Sequence, residues 1–226
     1  MTEADWLAGS IVFDELLRES PVPISERKLR LFLCACVRQV WPLLIDERCR
    51  AAVEAAERFA DGLIGTDVLT HAWKGAWEIG FIGAAGFADR AAAMTAVTAV
   101  NYLTVSYGTL YARSAMEQEV YKQAAHGKDV YQVTRWTWQV QEALFRDVVG
   151  NPFRAAVIDP AWLGWNDHFV RSLADLIDRE RRYTDLPVLG DALEDAGCED
   201  EALLAHCHGG RHVRGCWVID ALLGRE

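Results

Sequence analysis

Hydrophobic positions along the chain recur at three- and four-residue intervals, the period of an α-helix, almost from end to end. Leu29, Phe32, Cys36, Val40 and Leu43 share one face of a segment that Ser25 is placed to cap. Pro42 should end or bend that helix before Leu44. Arg27, Arg30, Cys34 and Arg38 make a second, basic face on it. Cys49, Val53, Ala56, Ala60 and Leu63 predict a second helix starting near Asp46, and Thr66 is placed to cap a third that carries Trp73 and Trp77. Gly80 to Gly86 reads as a loop, and Ala88 to about Ala125 as one long helix or two, with Gly108 the weak point. Gly127-Lys128-Asp129 then separates a helix that runs to Val149. Val133, Trp136, Val140 and Leu144 lie on one of its faces and Trp138, Gln141 and Phe145 on another, which predicts a central, buried helix.

From Gly150 to Trp165 the periodicity stops, and two prolines mark an irregular connector. Asn166 can cap a helix with Phe169, Leu173, Leu176 and Ile177 inward. Short helices follow over Leu186 to Ala196, Glu199 to His206 and His212 to Leu223, with Gly197 fitted to the position just past the first of them. No segment alternates like a strand. The pattern therefore predicts an all-α protein: a helical bundle over residues 1–150 followed by a smaller C-terminal helical unit over 151–226, or the two as one continuous domain.

Composition narrows the function classes. Hydrophobic residues make up 51%, enough for a sizeable core, which excludes a disordered chain. With 23 basic and 33 acidic residues the net charge is −10, a poor balance for a nucleic-acid coat, so no nucleic-acid partner is expected. The N-terminal residues have neither the basic nor the apolar region of a signal peptide, and no apolar run reaches membrane-spanning length. The expectation is a cytoplasmic protein with no membrane partner, whose six cysteines are thiols or ligands rather than disulfides.

Several strings resemble an uncharacterised bacterial family associated with planctomycete genomes. They are Arg27-Lys-Leu-Arg-Leu-Phe-Leu-Cys-Ala-Cys36, Gly150-Asn-Pro-Phe-Arg154, Asp159-Pro-Ala-Trp-Leu163 and Trp165-Asn-Asp167. Two more stand near the C-terminus: Leu186-Pro-Val-Leu-Gly-Asp-Ala-Leu-Glu-Asp-Ala-Gly-Cys198 and His212-Val-Arg-Gly-Cys-Trp-Val-Ile-Asp220. The resemblance is nearly full-length apart from residues about 66 to 130. Family members often carry a third Cys after the Cys-Ala-Cys pair, where this chain has Val37. The resemblance supports the C-terminal segment as a real unit and implies no activity.

The candidate chemistry lies in few places. His206-Cys207-His208 and His212 to Cys216 bring five nitrogen or sulfur donors into eleven residues. His212 and Cys216 are four apart, one face of a helix, and the glycine turn before them could fold His206 or Cys207 back. His206, Cys207, His212 and Cys216 are therefore the candidate ligands of a metal, zinc first, although no zinc-finger spacing is present. Cys34, one helical turn from both Arg30 and Arg38, is a candidate reactive, redox-sensing thiol. Trp138, Trp162 and Trp165 are candidate interface anchors. The acidic run around Asp191, Glu194, Asp195, Glu199, Asp200 and Glu201 reads as a solvated face. His-Glu-x-x-His, Gly-x-Ser-x-Gly, P-loop and dinucleotide fingerprints are absent, so no catalytic residue is assigned. The reading favoured by the sequence is a non-enzymatic protein-interaction module without a cofactor, and a zinc-binding protein is its main alternative.

Overall fold

The computed structural model describes residues 2–8, 23–82, 86–96, 102–123 and 129–225. Of the described residues 77% are helical and none lies in a strand, so the class is all-α. The helices are α1 (Glu3–Leu7), α2 (Glu26–Arg38), α3 (Glu47–Ala60), α4 (Thr66–Trp77), α5 (Phe87–Thr95) and α6 (Tyr102–Gln123). They continue with α7 (Val130–Val149), α8 (Pro160–Glu180), α9 (Leu186–Asp195), α10 (Glu201–His208) and α11 (Trp217–Leu223). The chain divides into two compact units, Met1–Glu142 and Ala143–Glu226. The division falls inside α7 rather than in the connector after it.

In the N-terminal unit the buried centre is α2, not α7. Every residue from Leu29 to Val37 is buried, and α3, α5 and α6 all pack on this helix. The basic face that the sequence displays is neutralised in place. Arg38 makes a bidentate pair with the buried Glu57 of α3, at 2.9 and 2.8 Å, and Arg27 reaches Asp61 at 3.0 Å. Arg30 is fully enclosed, donating to the Thr95 carbonyl at 3.0 Å and lying over the Phe59 ring. Ser25 caps α2 as expected, accepting from the Lys28 amide. The helix stops at Arg38, and Pro42 sits in a separate 3₁₀ turn over Trp41–Leu43.

Several local expectations are corrected. α4 begins at Thr66 with Gly65 as its cap. Glu78–Ile82 is a π-turn continuing α4, while the rest of the predicted loop, residues 83–85, lies outside the described residues. Leu63 falls past the end of α3 and is exposed. Gly108 is no weak point: α6 runs through it, and the missing side chain lets the helix pack closely, since a Cβ there would come within 2.7 Å of Leu33 and 3.3 Å of Met94. The break between α5 and α6 follows Ala96, and residues 97–101 and 124–128 lie outside the described residues. On α7 the inward positions are Val133, Thr137, Gln141, Leu144, Phe145 and Val148, whereas Trp136 and Trp138 face solvent.

The C-terminal unit is built on the end of α7 and on α8 to α11. Its core holds Val170, Ala174, Ile177, Leu186, Leu189, Leu193, Leu203, Cys207, Cys216, Ile219 and Leu222, with Trp162 and Trp165 packed at its edge. α8 starts with Pro160 at its first turn and Asp159 as cap, accepting from the Ala161 amide at 2.8 Å. The helix is interrupted: Asn166, Asp167 and His168 all adopt left-handed φ angles of 45°, 54° and 64°. That rotation turns Phe169, expected inward, out to solvent, and Val170 takes the inward place. Gly197 closes α9 as expected. With φ +88 it lets its own amide reach Glu194 O and the Cys198 amide reach Leu193 O, both at 2.9 Å. No helix among the described residues is long and apolar enough to cross a membrane.

Candidate metal centre

Asp147, His206, His212 and Cys216 converge in the C-terminal unit, with one ligand atom from each lying within 4.8 Å of the others. Three segments deliver them: α7, α10 and the loop before α11. Asp147 stands near the C-terminal end of α7 and is 3% exposed. Gly150 ends that helix at φ +71, and a Cβ there would come within 2.9 Å of the Trp217 ring, so the turn after Asp147 packs tightly on the start of α11. His206 comes from α10, whose first turn is held by the Asp200 carboxylate accepting from the Ala202 and Leu203 amides.

His212 and Cys216 lie outside any helix. α11 begins only at Trp217, and the preceding segment is irregular chain followed by a tight turn. Gly210 (φ +80) redirects the chain after α10, and Gly215 (φ +87) closes the turn in which the Cys216 amide donates to Val213 O at 3.0 Å. The convergence of His212 and Cys216 thus arises from two glycine turns, not from the helical spacing that first suggests it.

Cys207 is not in the cluster. It shares the core stripe of α10 with Leu203, one turn earlier, and is buried among apolar residues. The sequence candidates therefore separate: His206, His212 and Cys216 come together, Cys207 does not, and Asp147 joins them from 59 positions before His206. Nothing in the residues around Asp147 marks it, since the sequence places it as a polar position near a helix end.

The distances describe donors around a point. His206 Nε2 lies 3.2 Å from Cys216 Sγ and 3.2 Å from Asp147 Oδ1, and His212 Nδ1 lies 2.7 Å from that same Oδ1. One ring nitrogen of His206 faces both thiol and carboxylate, so the ring is not strung between them as a nucleophile–base–acid relay requires. Zinc bonds of about 2.0 to 2.3 Å give tetrahedral donor separations of roughly 3.3 to 3.7 Å. These three separations are shorter than that, most of all the 2.7 Å between His212 Nδ1 and Asp147 Oδ1, while all the donor pairs lie within 4.8 Å, so a bound cation would move His212 and Asp147 apart. The other carboxylate oxygen of Asp147 accepts from the Val213 amide at 2.8 Å, which fixes the carboxyl plane with Oδ1 toward the cluster. The His206 ring also lies 4.7 Å from the His212 ring and 4.9 Å from Trp217.

The electrostatics separate the two acids. Burial pushes the Asp147 carboxyl up, but hydrogen bonds and charge from His206 and His212 outweigh it and hold the group below its usual range. Burial and the Asp147 charge push the Cys216 thiol well up, with the Ile219 and Val218 amides pulling the other way. The metal-free cluster is thus carboxylate beside thiol, and a cation would take the thiolate by displacing its proton.

The other candidates stand apart. Cys34 is buried, with its thiol 3.8 Å from the Val53 carbonyl, so solvent does not reach it. Trp138 is 40% exposed and stacks under the Arg113 guanidinium at 4.1 Å, while Trp162 and Trp165 are partly buried. Asp191, Glu194 and His208 form a second, exposed group, with His208 Nε2 3.4 Å from Glu194. Compared with protein-family models, curated proteins and solved structures, the chain matches none of them.

Proposed function

We propose that the C-terminal unit is a zinc-binding module, holding one ion through Asp147, His206, His212 and Cys216. The observation that carries this reading is the convergence of carboxylate, two imidazoles and a thiol within 4.8 Å. Two of these side chains are buried and two half-buried, in a unit of short helices. Mixed nitrogen, sulfur and oxygen donors suit zinc better than the hard cations, which take oxygen alone. A thiolate and a carboxylate supply two negative charges, so a bound divalent ion leaves the buried site neutral. The donor set is closed at four, which favours a structural role over an open catalytic one. Elemental analysis of protein purified without a histidine tag tests it. About one zinc per chain is expected, and less than about 0.1 overturns the reading, because closed sites hold metal tightly.

A second reading, a protein-interaction module, is favoured by a separate observation on the N-terminal unit. Leu103, Tyr107 and Leu110 fall on one face of α6 and all three are exposed, as are Tyr131, Trp136 and Trp138 on α7. Exposed aromatic and aliphatic side chains at helical spacing suit docking of another helix. Sedimentation velocity at rising concentration tests whether the partner is a second copy. Self-association that Leu110→Glu abolishes supports this, and a chain that stays monomeric throughout contradicts it.

A further inference from the structure

Asp191 and Glu194 are three positions apart on α9 and share one of its faces, and His208 is the last residue of α10, which packs on α9. His208 Nε2 lies 3.4 Å from Glu194 Oε1 and 3.9 Å from Asp191 Oδ1. One donor atom from each of the three lies within 4.8 Å of the others, and the group shares no residue with the four-donor cluster.

A packing feature sets the place of the imidazole. A Cβ on Gly190 would come within 2.9 Å of both His208 Cε1 and Nε2, and within 3.0 Å of the Cys207 Cβ. The edge of the ring therefore rests on the backbone of α9 beside Asp191, where a larger residue would push it off. Glycine inside a helix is otherwise a cost to that helix. The ring is thus seated by its fit to α9 and not only by attraction to the acids. Neither acid is drawn in to the separation of a charge-assisted hydrogen bond, about 2.7 to 2.9 Å.

Donors bonded to one ion at about 2.0 to 2.2 Å stand roughly 3.0 to 3.4 Å apart. Glu194 already lies at such a distance from the ring, and Asp191, whose side chain is 72% exposed, is free to close the remaining gap of about half an ångström. All three side chains are exposed, so the other positions of an ion held there open to solvent.

We propose that Asp191, Glu194 and His208 form an open site for a divalent transition-metal ion, with water in the positions the protein leaves free. Two carboxylates balance the charge of the ion. The imidazole nitrogen favours zinc, nickel or copper over magnesium and calcium, which take oxygen ligands. Three exposed donors hold an ion less tightly than four enclosed ones, so this ion exchanges. The proposal goes beyond the zinc module and does not rest on it.

Equilibrium dialysis of the full, tag-free chain against added zinc tests it. About one exchangeable zinc per chain is expected, with a dissociation constant of about 10 μM or tighter. His208→Gln, Asp191→Asn and Glu194→Gln should each weaken it about tenfold or more, whereas Asp195→Asn, an exposed acid outside the group, should not. Absence of His208-dependent binding up to about 1 mM zinc overturns the proposal. Equal weakening by Asp195→Asn overturns it as well, since attraction would then come from the acidic run at large. Displacement of the zinc by about 10 mM magnesium overturns the assignment to a transition metal. Circular dichroism checks that each variant is folded. Zinc that survives dialysis against zinc-free buffer belongs to the four-donor centre. Its absence beside intact His208-dependent binding would retire that centre and leave this site standing, and the reverse result would retire this site alone.

Discussion

Consecutive residues on an α-helix point about 100° apart, and that angle separates His206 from Cys207. Cys207 takes the inward position one turn after Leu203, where burial pushes its thiol up to about 12. His206 is turned toward Asp147 and Cys216. A different local rule is broken at Asp167, which is exposed and sits second among three left-handed residues within α8. Such a conformation costs a non-glycine residue about 1 kcal/mol or more. Asp167→Gly should therefore raise stability by about 1 kcal/mol in urea denaturation, and a loss of stability would contradict the account of this turn.

At the scale of elements, α2 shows how charge hides a central helix from a pattern reading. Its arginines suggest a solvated face, yet α3 meets them with Glu57 and Asp61, and the pairing lets the helix be buried. Removing Glu57 leaves the Arg38 guanidinium without its bidentate acceptor. Glu57→Ala should cost about 2 kcal/mol in urea denaturation, and a change below about 0.5 kcal/mol would show that the pair does not hold α2 to α3. Helix existence was legible in the three- and four-residue spacing, and helix ends were legible where a cap such as Ser25 or Gly197 marks them. Faces were less legible. On α7 two tryptophans suggest a buried position, but Thr137 and Gln141 take it, the Thr137 hydroxyl donating to Glu117 and the Gln141 side-chain amide donating to the Thr109 carbonyl. The histidines and Cys216 could be found in the sequence because they are clustered. Asp147 could not, because its role depends on a fold that brings the end of α7 to the loop after α10.

For the whole molecule, the two compact units carry different features. The N-terminal unit, to Glu142, carries exposed apolar side chains on α6 and α7. The C-terminal unit, from Ala143, holds the four-donor cluster and the exposed three-donor group on α9 and α10. The short helices of that unit are joined by glycine turns, and a metal ion held by ligands from α7, α10 and the last loop would tie them together. Binding free energy at such a site is folding free energy. The most direct test compares zinc content in three tag-free proteins: the unaltered chain, Cys216→Ser and Cys207→Ser. The account predicts about one zinc per chain in the first and third and less than about 0.1 in Cys216→Ser. Zinc retained by Cys216→Ser, or lost equally from both variants, would contradict it.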